Sequence, residues 1–169
     1  PRLLRFALLL AALFPCALAL AQSYPTRPIR VIIPYAPGGG IDRMGRILAP
    51  LLGSTLGQPV VIENQGGAAT MIGTSMVARA PADGHTLLLT TNGFSVNVLV
   101  QKAPSYKVEE FVAVAPLAVF GYVLAANPNL PARNIAELVA YAKSNPTKVN
   151  AATVGQGSAL HLLGERLDA

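Results

Sequence analysis

The clearest hydrophobic pattern in the chain joins a short β-branched run to a glycine loop and an apolar helical face. Four of the five residues in Ile29–Ile33 are β-branched, which favours a strand. Three glycines, Gly38–Gly40, follow, and apolar residues then recur at the spacing of one helix face. The pattern predicts a strand, a tight loop and a helix from about Asp42 to Leu56. The expected apolar face of this helix comprises Met44, Ile47, Leu48, Leu51 and Leu52.

The same unit recurs along the first half of the chain. Val60–Ile62 predicts a second strand before a helix near Met71–Arg79, and His85–Thr90 predicts a third strand. Continuous apolar strands separated by helices indicate a parallel sheet with helices on both faces. Ligands of such sheets bind beyond the carboxyl ends of the strands. The loops expected at that edge are Ala36–Asp42, Asn64–Thr70 and Thr91–Ser95.

The second half of the chain predicts another α/β unit. Residues 111–126 read as two apolar strands, and Asn134 and Glu137 occupy capping-box positions at the start of a helix. A further strand, Val149–Thr153, precedes a second glycine loop and a helix that carries His161. The expected division is a first lobe at residues 22–103 and a second, incomplete lobe at residues 104–169.

The amino terminus has the pattern of a secretory signal peptide. Arg2 and Arg5 precede an unbroken apolar run that ends with Ala19 and Ala21 at alternate positions, as at a signal-peptidase site. The run is shorter than the roughly 20 residues that a membrane-spanning helix needs. We expect residues 1–21 to be removed after Ala21 and the mature protein to be periplasmic.

Composition excludes several classes of function. The chain has 13 basic and 8 acidic residues, and loss of the signal peptide leaves 11 basic residues that are scattered, unlike a nucleic-acid-binding surface. The single cysteine, Cys16, lies in the signal peptide, so no disulfide is expected. Two histidines without clustered acids do not form a metal site, and no cofactor motif is present.

The first glycine loop is a candidate anion site. A helix amino terminus offers unpaired N–H donors and the positive end of a dipole, and glycines let a guest approach the backbone closely. Alternatively, the glycines serve only a tight turn. Asp42 has two interpretations that are not exclusive: it fixes the loop or an ordered water, or it is an ordinary helix N-cap.

A catalytic alternative rests on Ser158 and His161, which lie three positions apart on a predicted helix. An exported serine hydrolase would also need an acid that orients the histidine and an oxyanion hole. The sequence shows neither, and no Gly-x-Ser-x-Gly motif surrounds Ser158. We therefore expect no enzymatic activity.

Several motifs together resemble one protein family across the whole mature chain. This family is the Bug-type extracytoplasmic receptors of the tripartite tricarboxylate transporters. The matching segments are Tyr24–Arg30, Pro34–Asp42, Leu56–Asn64, Ala82–Leu89, Leu130–Leu138 and Gly155–Leu162.

The resemblance implies a type II periplasmic-binding-protein fold, with two α/β lobes of mostly parallel sheet that close on a small organic carboxylate. It also implies that the closed receptor docks on membrane permease subunits and is not an enzyme. In this family the ligand carboxylate is held largely by backbone N–H groups and waters. The ligand-site residues that it implies are Gly38, Gly39, Gly40, Asp42, Gly67, Ala68, Thr91, Asn92, Gly157, Ser158 and His161.

The chain departs from the family pattern at three points. Ile41 replaces the usual Thr or Ser, and residues 65–70 read Gln-Gly-Gly-Ala-Ala-Thr where Arg-Pro-Gly-Ala-Gly-Gly is usual. Family members are also roughly twice as long. The chain is therefore expected to be truncated at its carboxyl end, either as a fragment of a receptor or as a remnant that does not bind.

Overall fold

The computed structural model describes residues 24–153 and 159–168. The predicted signal peptide with its cleavage site after Ala21, and the predicted ligand residues Gly157 and Ser158, lie outside these ranges.

A three-stranded parallel sheet organises the first half of the chain. Its strands are β1 (Ile29–Ile33), β2 (Val60–Asn64) and β3 (Thr86–Leu88), in the order β2-β1-β3. In the parallel register, Ile29 lies opposite Val60 and Arg30 opposite Thr86. The predicted α/β class with a parallel sheet is therefore confirmed.

Five α-helices accompany the strands in the described ranges: α1 (Gly40–Leu56), α2 (Met71–Ala78), α3 (Gly93–Val100), α4 (Ile135–Ser144) and α5 (Ala159–Asp168). Single 3₁₀ turns occur at Ala68–Thr70 and Val108–Glu110. The sequence did not predict α3, and α1 begins two residues before the expected start. Within the part of the chain that the structure describes, no helix is both long and apolar enough to cross a bilayer.

The central strand is covered on both sides. Ile29, Val31 and Ile33 form the buried core on the α1 side, where the Gly45 backbone lies against the side chain of Ile33. Ile32 points to the opposite face and is also fully buried. On that face, Gly73 of α2 packs against Pro34. These contacts place helices on both sides of the strand ends where the loops begin.

The apolar face predicted for α1 is only partly correct, because Met44 and Leu48 are half-buried whereas Ile47, Leu51 and Leu52 are exposed. The buried residues of α1 are Asp42, Gly45 and Ala49, whereas the side chain of Ile47 is 66% exposed and that of Leu51 is 60% exposed. Small residues at Gly45 and Ala49 let the helix backbone approach the sheet closely. The large residues on the neighbouring face therefore point away from it.

The strands predicted for residues 111–126 and Val149–Thr153 are wrong, since in the described residues neither segment forms a strand or joins the sheet. Val112 is 90% exposed and Val119 is 99% exposed. A strand exists only when a neighbour satisfies its backbone N–H and C=O groups. In the described residues, β1, β2 and β3 pair only with one another.

The predicted cap of the second-half helix is confirmed. The Glu137 N–H donates to Asn134 Oδ1 at 2.9 Å, and Asn134 Nδ2 donates to Glu137 Oε1 at 2.8 Å. The helix begins at Ile135, directly after this cap.

Candidate functional site

Three loops meet at the carboxyl edge of the sheet. We call residues 34–39 the first loop, residues 65–70 the second loop and residues 89–92 the third loop. The Gln65 N–H donates to the Ile33 carbonyl at 2.9 Å, and the Leu89 N–H donates to the Ile32 carbonyl at 2.9 Å. The hydroxyls of Tyr35 and Thr91 lie 2.7 Å apart and share a hydrogen bond. The structure thus joins the second and third loops directly to the end of β1.

Asp42 fixes the first loop. Its Oδ2 accepts the Gly38 N–H at 2.8 Å and the Arg46 Nε–H at 3.0 Å. Gly38 has φ +86°, a left-handed conformation that suits glycine. Gly39 is the N-cap of α1, and Asp42 lies in the first turn. Of the two interpretations of Asp42, the N-cap is wrong and the loop-fixing contact is present.

The Asp42 carboxyl is ionised at neutral pH. Hydrogen bonds from Arg46 and from the Gly38 backbone lower its pKa from 3.8 to about 2. Arg46 also donates from Nη2 to Asn64 Oδ1 at 3.0 Å, and this contact ties the first turn of α1 to the end of β2. The side chain is 3% exposed, so its charge is directed at the loop and not at solvent.

Open backbone donors remain at the start of α1. The Gly38 N–H is used by Asp42, but the N–H groups of Gly39, Gly40 and Ile41 have no hydrogen-bond partner among the described residues. Such donors at the positive end of a helix of 17 residues can bind a carboxylate or phosphate. Of the three predicted glycines, Gly38 therefore shapes the loop, and Gly39 and Gly40 present donors.

The second loop adopts an unusual left-handed turn. Gly67 has φ +121°, and Ala68, Ala69 and Thr70 follow with φ of +45°, +51° and +76°. Residues with a Cβ seldom adopt this region. Ala69 and Thr70 stand at the positions where the resembled family usually has glycine. In retrospect those two departures from the family pattern mark the place where the backbone needs left-handed geometry.

Asn97 is a site residue that the sequence analysis missed. It lies in α3, is 1% exposed, and donates from Nδ2 to the Ala69 carbonyl and, at 2.9 Å, to Thr70 Oγ1. Its signal in the sequence was a single amide in the otherwise apolar run Val96–Val100. The Asn97 side chain thus connects α3 to the second loop by two hydrogen bonds.

The third loop uses its side chains within the protein. Thr91 Oγ1 contacts Tyr35 and also accepts the Gly93 N–H at 3.3 Å. Asn92 Oδ1 accepts a hydrogen bond from the Tyr122 hydroxyl at 2.7 Å, which brings this part of the segment 111–126 to the same edge. Thr91 and Asn92 lie in the loop that follows β3, at the carboxyl edge of the sheet, and their role in ligand binding stays a prediction.

His161 lines a cleft together with residues of the second loop. This cleft of about 1420 Å³ runs along α2 towards α5, and its lining includes Ala68, Ile72, Arg79 and His161. His161 Nε2 is 3.4 Å from Glu165 Oε1 on the next turn. The structure thus brings His161 to the second loop, whereas Gly38–Gly40, Asp42, Thr91 and Asn92 do not line this cleft. In the described ranges, no three His, Cys, Asp or Glu side chains cluster as metal ligands.

The parallel α/β fold matches solved structures of periplasmic binding proteins. Residues 44–169 match the tripartite tricarboxylate transporter family receptor, and the chain belongs to this family. The prediction made from the motifs is confirmed.

Individual relatives agree with this assignment. BugT of Bordetella pertussis is 43% identical over 148 residues, which cover 86% of this chain and 45% of BugT. The solved structure of the periplasmic binding protein BugD has a TM-score of 0.70 and 39% identity, and the match covers 86% of this chain and 50% of BugD. MatC from Rhodopseudomonas palustris, solved with bound malate, has a TM-score of 0.68 and 32% identity, with 85% and 51% covered. The chain spans about half the length of the relatives that it matches.

Proposed function

We propose that the protein is a periplasmic receptor that binds a small organic carboxylate and delivers it to the membrane permease subunits of a tripartite transporter. The observation that supports this proposal most directly is that the N–H groups of Gly39, Gly40 and Ile41 have no hydrogen-bond partner among the described residues. Family membership supports this function, as does the malate bound to the relative MatC. The ligand would shift the receptor towards its closed state because it binds that state more tightly.

Each predicted residue has a role in this proposal. Gly39 and Gly40 bind the carboxylate through their N–H groups, while Gly38 and Asp42 hold the first loop in shape. Gly67 and Ala68 add donors from the second loop, and Thr91 and Asn92 close the site from the third loop. The second-lobe contacts of the proposed site are Gly157, Ser158 and His161.

Export belongs to the same proposal. A signal peptide of residues 1–21, cleaved after Ala21, would deliver the protein to the compartment in which the relative BugD is a binding protein. The proposed first lobe then comprises residues 22–103, and residues 104–169 contribute to a second lobe. No cofactor, nucleic acid or catalytic step is part of this function.

The serine-hydrolase alternative gains one observation from the structure. Glu165 lies 3.4 Å from His161 and could act as its orienting acid. However, the Glu165 side chain is 66% exposed, and an exposed carboxylate orients a histidine weakly because water competes for both groups. We therefore favour the receptor.

Gly40 allows a matched test of the proposed anion site. Gly40→Pro removes one N–H, whereas Gly40→Ala keeps it, and a Cβ at this position meets no atom within 4 Å. Proline is favoured at the first position of a helix. Gly39, with φ −70° and ψ 170°, already has the extended conformation that precedes proline. The two variants should therefore fold alike.

We expect malate or a related dicarboxylate to bind the wild type and Gly40→Ala with similar affinity, as measured by titration calorimetry. Gly40→Pro should bind about tenfold or more weakly, because a hydrogen bond to a charged group contributes about 1.5–3 kcal/mol. Equal affinity of the Pro and Ala variants would show that the amino terminus of α1 does not bind the ligand. Absence of any thermal stabilisation of the wild type across a panel of carboxylates would reject the receptor function.

A further inference from the structure

The left-handed turn of the second loop needs support from outside the loop. Ala68, Ala69 and Thr70 all have positive φ, and this conformation is unfavourable for residues that carry a Cβ, most of all for a β-branched one. A free loop of this sequence would relax towards negative φ. Relaxation would rotate the N–H groups of Ala68 and Ala69, which have no partner among the described residues, away from their present directions.

Asn97 supplies that support at the two strained positions. Its amide nitrogen has two N–H donors, and these bind the Ala69 carbonyl and the Thr70 hydroxyl. Both contacts form only while Ala69 and Thr70 keep this turn. Because Asn97 is 1% exposed, water cannot replace the loop as its partner without opening the structure.

The helix that carries Asn97 is itself firmly held. The Tyr106 hydroxyl donates to the Phe94 carbonyl at 2.6 Å, and the two rings stack with centroids 5.3 Å apart. At its start, α3 continues directly from the third loop, where the Phe94 N–H donates to the Thr91 carbonyl at 3.0 Å. A fixed α3 therefore sets the position of the second loop relative to the third.

We propose that Asn97 is a positioning residue of the ligand site. Its buried amide holds Ala69 and Thr70 in the left-handed turn, and thereby directs the second-loop N–H groups at the ligand. The inference rests on the proposed carboxylate-binding function. Asn97 does not touch the ligand, so its effect on affinity passes entirely through the loop backbone.

A double-mutant cycle isolates this role. Asn97→Leu keeps the branched shape of the side chain and removes both donors. Ala69→Gly with Thr70→Gly makes the left-handed turn accessible without support. We expect Asn97→Leu to weaken malate binding at least tenfold in the wild-type loop, and to weaken it less than threefold in the glycine loop. The melting temperature of every variant is measured alongside, so that loss of folded protein is not taken for loss of affinity.

Equal losses of affinity in both loops would overturn the proposal, because Asn97 would then act through general stability. Hydrogen exchange without ligand provides a second test, which stands even if the wild type binds no carboxylate. Asn97→Leu should accelerate exchange at the Met71 amide, whose N–H donates to the Ala68 carbonyl across the turn, at least tenfold while amides of β1 remain protected. Unchanged exchange at the Met71 amide would also overturn the proposal, whereas a wild type without carboxylate affinity would reject the proposed function instead.

Discussion

Two buried polar side chains, Asp42 and Asn97, shape the backbone of the loop edge. Asp42 acts on the first loop through the Gly38 N–H, and Asn97 acts on the second loop through the Ala69 carbonyl. Neither needs to contact a ligand. The direction of a backbone N–H group is set by the conformation of its loop. Donors at this edge therefore depend on the side chains that fix the loops.

The ionised state of Asp42 makes a pH-dependent contribution to stability. Its pKa in the folded protein is about 2, below the ordinary value of 3.8. The folded state therefore binds fewer protons than the unfolded state in this range. The stabilisation is present above pH 4 and is lost as the pH falls from about 4 to about 2.

We expect the free energy of unfolding of the wild type to fall over this interval, and that of Asp42→Asn to fall less steeply. Urea denaturation at closely spaced pH values measures both slopes. Asp83, whose pKa is also lowered to about 2 by the His85 N–H and by Arg27, gives the control. Asp83→Asn should also reduce the dependence of the free energy of unfolding on pH, independently of Asp42. If Asp42→Asn showed the same pH dependence as the wild type, the hydrogen bonds of Asp42 to Gly38 and Arg46 would not stabilise the fold.

At the scale of elements, two glycines set the distances between helices and sheet. A Cβ on Gly45 of α1 would lie 2.8 Å from the Ile33 side chain, and one on Gly73 of α2 would lie 2.6 Å from the Gln65 carbonyl oxygen. The second contact is with backbone, which cannot rotate away. The approach of α2 to the end of β1 therefore requires glycine.

We expect Gly73→Ala to lower the free energy of unfolding by about 1–3 kcal/mol, because α2 must move away from the sheet. Gly164→Ala is the matched control, since a Cβ at Gly164 in α5 meets nothing within 4 Å. That change should be neutral or should stabilise by up to about 1 kcal/mol, the difference in helix propensity between alanine and glycine. Urea denaturation compares the two, and equal stability would argue against the close approach of α2.

On the scale of the whole molecule, the chain divides into a packed first half and an open segment. Residues 111–126 carry large apolar side chains but form no helix or strand, and Phe120 is 53% exposed. Phe94, by contrast, stacks on Tyr106 within a cluster of aromatic rings. The two phenylalanines thus differ in how readily a protease can reach them.

Limited proteolysis with chymotrypsin should therefore cut first after Phe120 or Tyr122. A protease needs an accessible backbone, and residues 111–126 provide one without the unfolding of a helix or a sheet. Mass spectrometry of the early fragments identifies the bonds cleaved. Early cleavage after Phe94, at a rate similar to that after Phe120, would show that the first half is not the packed unit described here.

Local patterns predicted much of the fold. The bounds of β1 agree residue for residue with the β-branched run Ile29–Ile33, and the cap formed by Asn134 and Glu137 stands where the sequence placed it. Both depend on neighbours within a few positions along the chain. The family motifs likewise identified the receptor family correctly. Strand propensity, capping and glycine loops are properties of short segments, so a sequence expresses them directly.

The sequence by itself thus determined the parallel α/β class, the loops at the carboxyl edge and the family. Tertiary structure decided which face of α1 is buried, that Asp42 binds Gly38 without being the N-cap, and that Asn97 holds Ala69 from 28 positions away. It also decided that residues 111–126, apolar enough for strands, have no strand partner within the described ranges. Burial and pairing depend on which distant segments meet, and that information is spread over the whole chain.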